Sequence, residues 1–315
     1  MPYKNDLRPF LAGTFVSIIF GFSFLFTKEG LDVLEPFHLL GLRFALAAII
    51  FVIMRLCGIV KVDFKGKNIS RLAILTLMEP VIYFICETIG IKMTSSSEAA
   101  IIIALAPVFT TVFGSIYLKE KPTKVQTGFI FLSVGGVIFM TAMKGSIQVG
   151  GNVLGTFILL GSVFSAGVFN VTSRKLSSEY SPIEITYVMM WVGAIVFNGI
   201  SLIQHLNRGT VHNYFYLLAN TKALISIVYL GALSSIVAYF LLNYLLSRIE
   251  ASRASVISNV ATVISVIAGA MFRNEPIYWF NVVGGLMILF GVWGTNYYRE
   301  MQHVNETYEI DISNC

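Results

Sequence analysis

Apolar residues in this chain come in runs of roughly 20, the length that carries a helix across the hydrocarbon of a bilayer. Ten such runs can be counted, at about 9–27, 36–56, 72–92, 97–118, 124–143, 152–172, 182–203, 222–246, 251–272 and 277–298. Polar residues gather between them, in connections too short for a soluble domain. The runs do not alternate residue by residue, so the short dyad-patterned segments of a transmembrane β-barrel do not fit. The pattern predicts an all-α membrane protein with ten transmembrane helices.

The runs also repeat. Residues 97–137 and 252–292 align without a gap at an offset of 155, with Ala99 on Ala254, Ala106 on Ala261, Gly114 on Gly269 and Glu120 on Glu275. An earlier stretch repeats at an offset of 146, with Gly21 on Gly167, Lys28 on Arg174 and Pro36 on Pro182. The two offsets differ only through the length of one loop. Five spans per half is an odd number, so the second copy enters the membrane from the opposite side. The halves are then two inverted-topology repeats about a pseudo-twofold axis in the membrane plane. The expected organisation is a first repeat over residues 1–147, a second over 148–300 and a tail over 301–315. The Gly-rich stretch from Gly145 to Gly155 is the linker. In transporters of this plan the site lies near the midplane where the repeats meet, and rocking of one half against the other opens it to each side in turn.

Composition agrees. The chain is 56% hydrophobic and 12% charged, with a mean hydropathy of +0.77, more apolar surface than a soluble core can hide. The first run is longer than the apolar core of a signal peptide, and no A-x-A-like site follows it. A net charge of +5 does not point to nucleic acid, because its distribution follows the loops. With the N-terminus inside, the inner segments and span ends hold 15 Lys and Arg and the outer ones 6, and Arg43 alone lies well inside a span. By the positive-inside rule both termini face the cytoplasm, as expected of a multi-pass protein of the cell membrane. The sequons at Asn68, Asn170 and Asn305 then fall on or near the inner side and carry no glycan. Cys57, Cys86 and Cys315 form no disulfide framework.

A family resemblance rests on particular residues. Pro36 and Arg43 open the second run, and Gly90-Ile91-Lys92-Met93-Thr94-Ser95-Ser96-Ser97 joins the third to the fourth. Pro107 lies within the fourth run and Leu118-Lys119-Glu120-Lys121-Pro122 ends it, with a degenerate second copy at Phe272-Arg273-Asn274-Glu275-Pro276. This series resembles the EamA-like proteins of the drug/metabolite transporter superfamily over residues 9–298. The resemblance implies a ten-helix bundle with a central cavity between its halves, and membrane transport. The family includes exporters of amino acids and other metabolites, so the cargo stays open.

The candidate site residues are the polar groups inside apolar runs. Glu79 and Glu87 stand in the third run, with Tyr83 and Cys86 on the same helical face. A carboxylate in hydrocarbon costs about 2.5–3.5 kcal/mol on insertion scales, so each acid faces protein or water, or snorkels to an interface. Their separation along a helix is roughly 12 Å, one on either side of the midplane. The second repeat has Ser234 and Leu242 in their places, so the fold's symmetry does not require the acids. Glu79 has no cation one turn away. Tyr83 is its expected hydrogen-bonding neighbour, and substrate binding or proton coupling its expected role. Arg43 either snorkels outward or meets Glu87 or a substrate carboxylate, for which its fork is suited.

The fourth run presents Ala100, Ala104, Pro107, Thr111 and Gly114 on one stripe, and its copy presents Ser255, Asn259, Thr262, Val266 and Gly269. The stripe serves helix packing, or Asn259 and Thr262 line the cavity and Pro107 frees a carbonyl for a ligand. Ser235, Tyr239 and Asn243 share a face of the eighth run, Thr14, Ser17 and Gly21 one of the first, and Ser162, Ser165 and Asn170 lie on the sixth. Ser95 and Glu98 form the S-x-x-E signature of a capped helix start. His38, His205, His212 and His303 sit near span ends or in loops, and no Walker loop, G-x-S-x-G or H-E-x-x-H occurs. These residues predict a secondary transporter of a small metabolite, with amino acids or related compounds the foremost cargo and protons a candidate coupling ion. Efflux of cationic or lipophilic compounds is the alternative, and a membrane-embedded lipid-modifying enzyme fits less well. No metal, no cofactor and no nucleic acid is expected.

Overall fold

A computed structural model describes residues 7–120, 122–147, 153–211, 214 and 219–313. Ten helical runs follow one another: α1 (Leu7–Leu31), α2 (Pro36–Leu56), α3 (Ile69–Met93), α4 (Ser96–Leu118) and α5 (Lys124–Ile147), then α6 (Val153–Leu176), α7 (Pro182–Asn207), α8 (Thr221–Arg248), α9 (Ala251–Arg273) and α10 (Trp279–Ser313). Among the described residues there is no strand. Eight runs are long and apolar enough to cross a membrane. In α5 and α10 the apolar part is shorter, Lys124–Met140 and Trp279–Thr295. The chain is an all-helical, multi-pass membrane protein.

Local chemistry sets the ends. Pro36 and Pro182 occupy first-turn positions, where a missing N–H costs nothing. Ser181 and Glu184 form a reciprocal capping box, Ser95 accepts from the Glu98 amide and Asn220 from those of Lys222 and Ala223. The repeat is written into the backbone where α4 and α9 stop. Lys119 and Asn274, 155 residues apart in sequence, both turn left-handed at φ 60° and 53°. The amides that follow them, of Glu120 and Glu275, return to the carbonyls of Gly114 and Gly269 at 3.3 and 3.2 Å.

Several runs are irregular where the membrane's middle would lie. In α3 the backbone of Glu79 is extended (φ −141°, ψ 114°). Proline clashes with a helical residue before it and offers no N–H, so Pro80 forces Glu79 out of the helix and leaves a wide π-type turn over Leu77–Ile82. A second wide turn spans Tyr229–Ala238 in α8, at the repeat-equivalent level. The fourth run breaks at Ala104–Leu105 ahead of Pro107, and α9 breaks at Asn259, the equivalent of Ala104.

Packing runs across the repeats more than within them. The closest partnerships are α5 with α10, α2 with α7, α1 with α8 and α9, and α6 with α3 and α4. Glycines set how near these pairs come. A Cβ on Gly21 would lie 2.6 Å from Ile264, and one on Gly167 would lie 2.6 Å from Phe109. Ile264 and Phe109 are themselves repeat equivalents. Ser17 joins α1 to α9 by donating to the carbonyl of Ile257 at 3.0 Å. Each half is therefore threaded through the other, so rocking one sequence half as a rigid body would break the tightest contacts. Repetition in sequence reports which segments are alike and not which ones touch. Outside the bundle, apolar side chains such as Phe131, Ile195, Leu286 and Phe290 are exposed, as a lipid-facing surface requires.

Candidate functional site

A cavity lies between α1, α2, α3, α4, α6, α8 and α9. Of the residues singled out from sequence, Arg43, Glu79, Tyr83, Glu87, Tyr239, Asn259 and Thr262 line it. Ser17, Pro107 and Ser235 do not. Arg43, Glu79 and Glu87 are only 2%, 4% and 4% exposed, so none of the three snorkels to an interface.

The break at Pro80 decides what Glu79 touches. On a continuous helix its side chain would point along the face of Tyr83. With the backbone extended there, the carboxylate leaves that face and accepts a hydrogen bond from the Tyr239 hydroxyl of α8. Tyr83 instead donates to Oε1 of Glu87 at 3.1 Å, one turn further on. The expected Glu79–Tyr83 pair is thus replaced by Glu79–Tyr239 and Tyr83–Glu87. Cys86 does not line the cavity, and its sulfur lies close to Gly161 of α6.

Arg43 does not form an ion pair with Glu87. Its Nε donates to Ser235 at 2.8 Å and one terminal nitrogen to Ser234 at 3.0 Å, while the guanidinium lies over the Phe84 ring, 4.2 Å from its centroid. The wide turn of α8 places the two adjacent hydroxyls within reach of one fork. Glu87 keeps its second oxygen, Oε2, buried with no hydrogen-bond partner. One cavity therefore holds two carboxyl groups, one of them with an uncommitted acceptor, and a guanidinium held by neutral hydroxyls. In so enclosed a place Coulomb interactions are strong, and a charged ligand group finds its complement already positioned.

The opposite wall is built from the breaks of α4 and α9. Pro107 loosens the turn before it, so the Val108 amide bonds to Leu105 and the carbonyl of Ala104 is left over. Asn259 takes that carbonyl at 3.0 Å and Thr262 takes that of Ala100 at 3.1 Å. The carbonyl of Ala104 is thus taken up by the other repeat. Asn259 also donates to Ser133 of α5, and Asn170 donates to Thr110, which donates to Ser255. Asn243 lies away from the cavity, bonded to Ser173 and Thr186.

Sequence reading noted Ser234 only as the counterpart of Glu79, not as a site residue, and passed over Pro80. The signals were present: Ser234 is the repeat equivalent of Glu79, and a proline directly after a buried acid marks a helix break at that acid. Among the described residues no group of three or more His, Cys, Asp or Glu is placed to hold a metal ion.

The sequence pattern of the EamA-like transporter family matches residues 8–142 and again residues 153–297. The chain is 40% identical to a Bacillus subtilis protein named "Uncharacterized transporter YcxC", over 93% of this chain and 94% of that one. An Archaeoglobus fulgidus protein named as an uncharacterized transporter is 27% identical, covering 87% and 93%. An Escherichia coli protein named "Probable amino-acid metabolite efflux pump" is 25% identical, covering 88% and 91%. A crystal structure 15% identical in sequence superposes with a TM-score of 0.70 over 93% of this chain and 99% of that one, a likeness of fold alone.

Proposed function

This chain belongs to the EamA-like transporter family, and on that premise we propose that it is a secondary transporter moving a small metabolite through the central cavity by alternating access. In this reading all ten runs cross the membrane as two inverted five-helix repeats, over residues 1–147 and 148–300, with a tail over 301–315. Both termini face the cytoplasm and the membrane is the plasma membrane. It is read as a transporter and not an enzyme: its named relatives are transporters, and the cavity groups suit binding better than bond-making.

The observation that carries the reading is the buried meeting of Glu79, Glu87 and Arg43 in one cavity where the repeats interlock. Charged groups this deep in a membrane bundle mark substrate or ion pathways. A small molecule carrying both an ammonium and a carboxylate finds the free Oε2 of Glu87 for one end and the Arg43 guanidinium for the other. Export of amino acids or related compounds is therefore the foremost cargo, and the name of the Escherichia coli relative supports it. Efflux of cationic or lipophilic compounds is the second reading, favoured by the aromatic walls of Phe20, Phe24 and Phe84 beside two acids. Glu79 is assigned proton coupling, since a carboxyl opened to each side in turn can bind a proton on one and release it on the other.

Flux into proteoliposomes, with a panel of amino acids and organic cations, separates the two cargoes. In the same assay Glu79→Gln keeps size and polarity but cannot titrate. Loss of the pH response with binding retained supports coupling through Glu79, and an unchanged rate with unchanged pH dependence reduces it to a structural role.

A further inference from the structure

Beyond the cavity, the repeat places the same four elements together at each end of the bundle, and the two copies differ in how their acid and cation are bonded. At one end Arg174, closing α6, donates to Oε1 of Glu120 at 3.1 Å and to the carbonyl of Leu246 at 3.0 Å. The other oxygen of Glu120 accepts the amide of Ala251, the first residue of α9, at 3.0 Å. Acid and cation thus tie the ends of α4, α6 and α8 to the start of α9.

The repeat equivalents lie at the other end. Lys28, closing α1, stands for Arg174, Glu275 for Glu120, Ile91 for Leu246 and Ser96 for Ala251. Lys28 donates to the carbonyl of Ile91 at 2.7 Å, reproducing the bond of Arg174 to Leu246, and also to that of Thr94. Glu275 accepts from the hydroxyls of Ser96 and Ser97. What is missing is the ion pair. Lys28 is committed to carbonyls and Glu275 to hydroxyls, whereas Arg174 and Glu120 bond to each other. Arg273, Asp32, Glu275 and Glu98 all act electrostatically on Lys28, Glu275 without a direct bond to it, and Glu29 and Asp32 pair with Arg273 nearby.

In a transporter made of inverted repeats, the second access state follows when each repeat takes up the conformation of the other. We infer that Glu120–Arg174 and Glu275–Lys28 are the two repeat-related latches of the transport cycle, with the first engaged in this structure and the second released. The exchange rests on the alternating-access reading given above. In the other state Lys28 closes on Glu275, while Arg174 keeps the Leu246 carbonyl and Glu120 turns to the hydroxyl of Ser252, the equivalent of Ser97. Each state keeps one acid–cation pair and leaves the other acid on hydroxyls, which keeps the two states close enough in free energy to interconvert. These four side chains position the helices and touch no substrate.

The test is labelling of a cavity cysteine, Ala166→Cys, in full-length protein with Cys57, Cys86 and Cys315 changed to Ser. A membrane-impermeant maleimide is applied to either face of oriented proteoliposomes. Glu120→Gln and Arg174→Gln each remove the engaged latch, so labelling rises about threefold from the face that bears Arg174 and falls from the other. Lys28→Gln and Glu275→Gln remove the released latch and shift labelling the opposite way. Arg174→Lys, which keeps the charge, stays near the parent. Shifts of the same sign for both pairs, or equal rises at both faces as damaged packing would give, overturn the latches. The four substitutions act independently, so one variant that fails to fold leaves its partner's result to decide. A cysteine that labels from one face only in every variant instead overturns alternating access itself.

Discussion

Glu79 lies where the third helix turns extended, and its carboxylate reaches the Tyr239 hydroxyl on a neighbouring helix. Losing one partner of a buried hydrogen bond costs about 1–3 kcal/mol, because the other is left without water or protein to satisfy it. Tyr239→Phe is therefore expected to lower transport about tenfold or more, with the cavity's shape kept, as initial flux rates will read. Tyr83→Phe removes the donor to Glu87 and is expected to weaken substrate affinity more than maximal rate, checked by the concentration dependence of flux. At this scale much was legible in the sequence. A charged side chain inside an apolar run declares itself, and Arg43, Glu79 and Glu87 do gather at one cavity. Their partners were not legible, since Tyr239 and Ser234 come from another helix and only packing brings them near.

Helix breaks make these contacts possible, and each break has a named cause. Pro80→Ala restores the missing amide and permits a regular turn through Glu79, which returns the carboxylate to the Tyr83 face. The expected outcome is an equal or higher melting temperature in detergent with transport lost, the reverse of an ordinary packing defect. Asn259→Leu tests the other break. It leaves the Ala104 carbonyl buried without a partner and is expected to destabilise the protein by about 1–3 kcal/mol, read as a lower thermal midpoint. The apolar runs fixed nine of the ten helices to within about four residues, because hydropathy and length respond to the same bilayer thickness, whereas α10 continues past its apolar part to Ser313. Hydropathy is blind to a proline within a run, so the break at Glu79 escaped notice although Pro80 stands beside it in the sequence.

Across the whole molecule the repeats interlock, each burying its first helix against the other's third and fourth. The offsets of 155 and 146 made the duplication visible, and the family pattern matches the two copies separately. That the copies thread through one another was invisible, because glycines such as Gly21 and Gly167 mark close approach without naming the partner. In the proposed transport cycle the interlock puts the moving boundary within each repeat, among helices α3, α4, α8 and α9 that line the cavity. Reporter fusions at Lys144 and Glu300 check the proposed topology, with an external signal expected at Lys144 and an internal one at Glu300. The central claim is transport through this cavity, and the most direct test is counterflow in proteoliposomes loaded with unlabelled amino acids. Labelled amino acid should accumulate with the parent protein, while Arg43→Gln and Glu87→Gln, still folded by size exclusion, should abolish accumulation. Parent-level accumulation in both variants would place the transport path elsewhere and contradict the account.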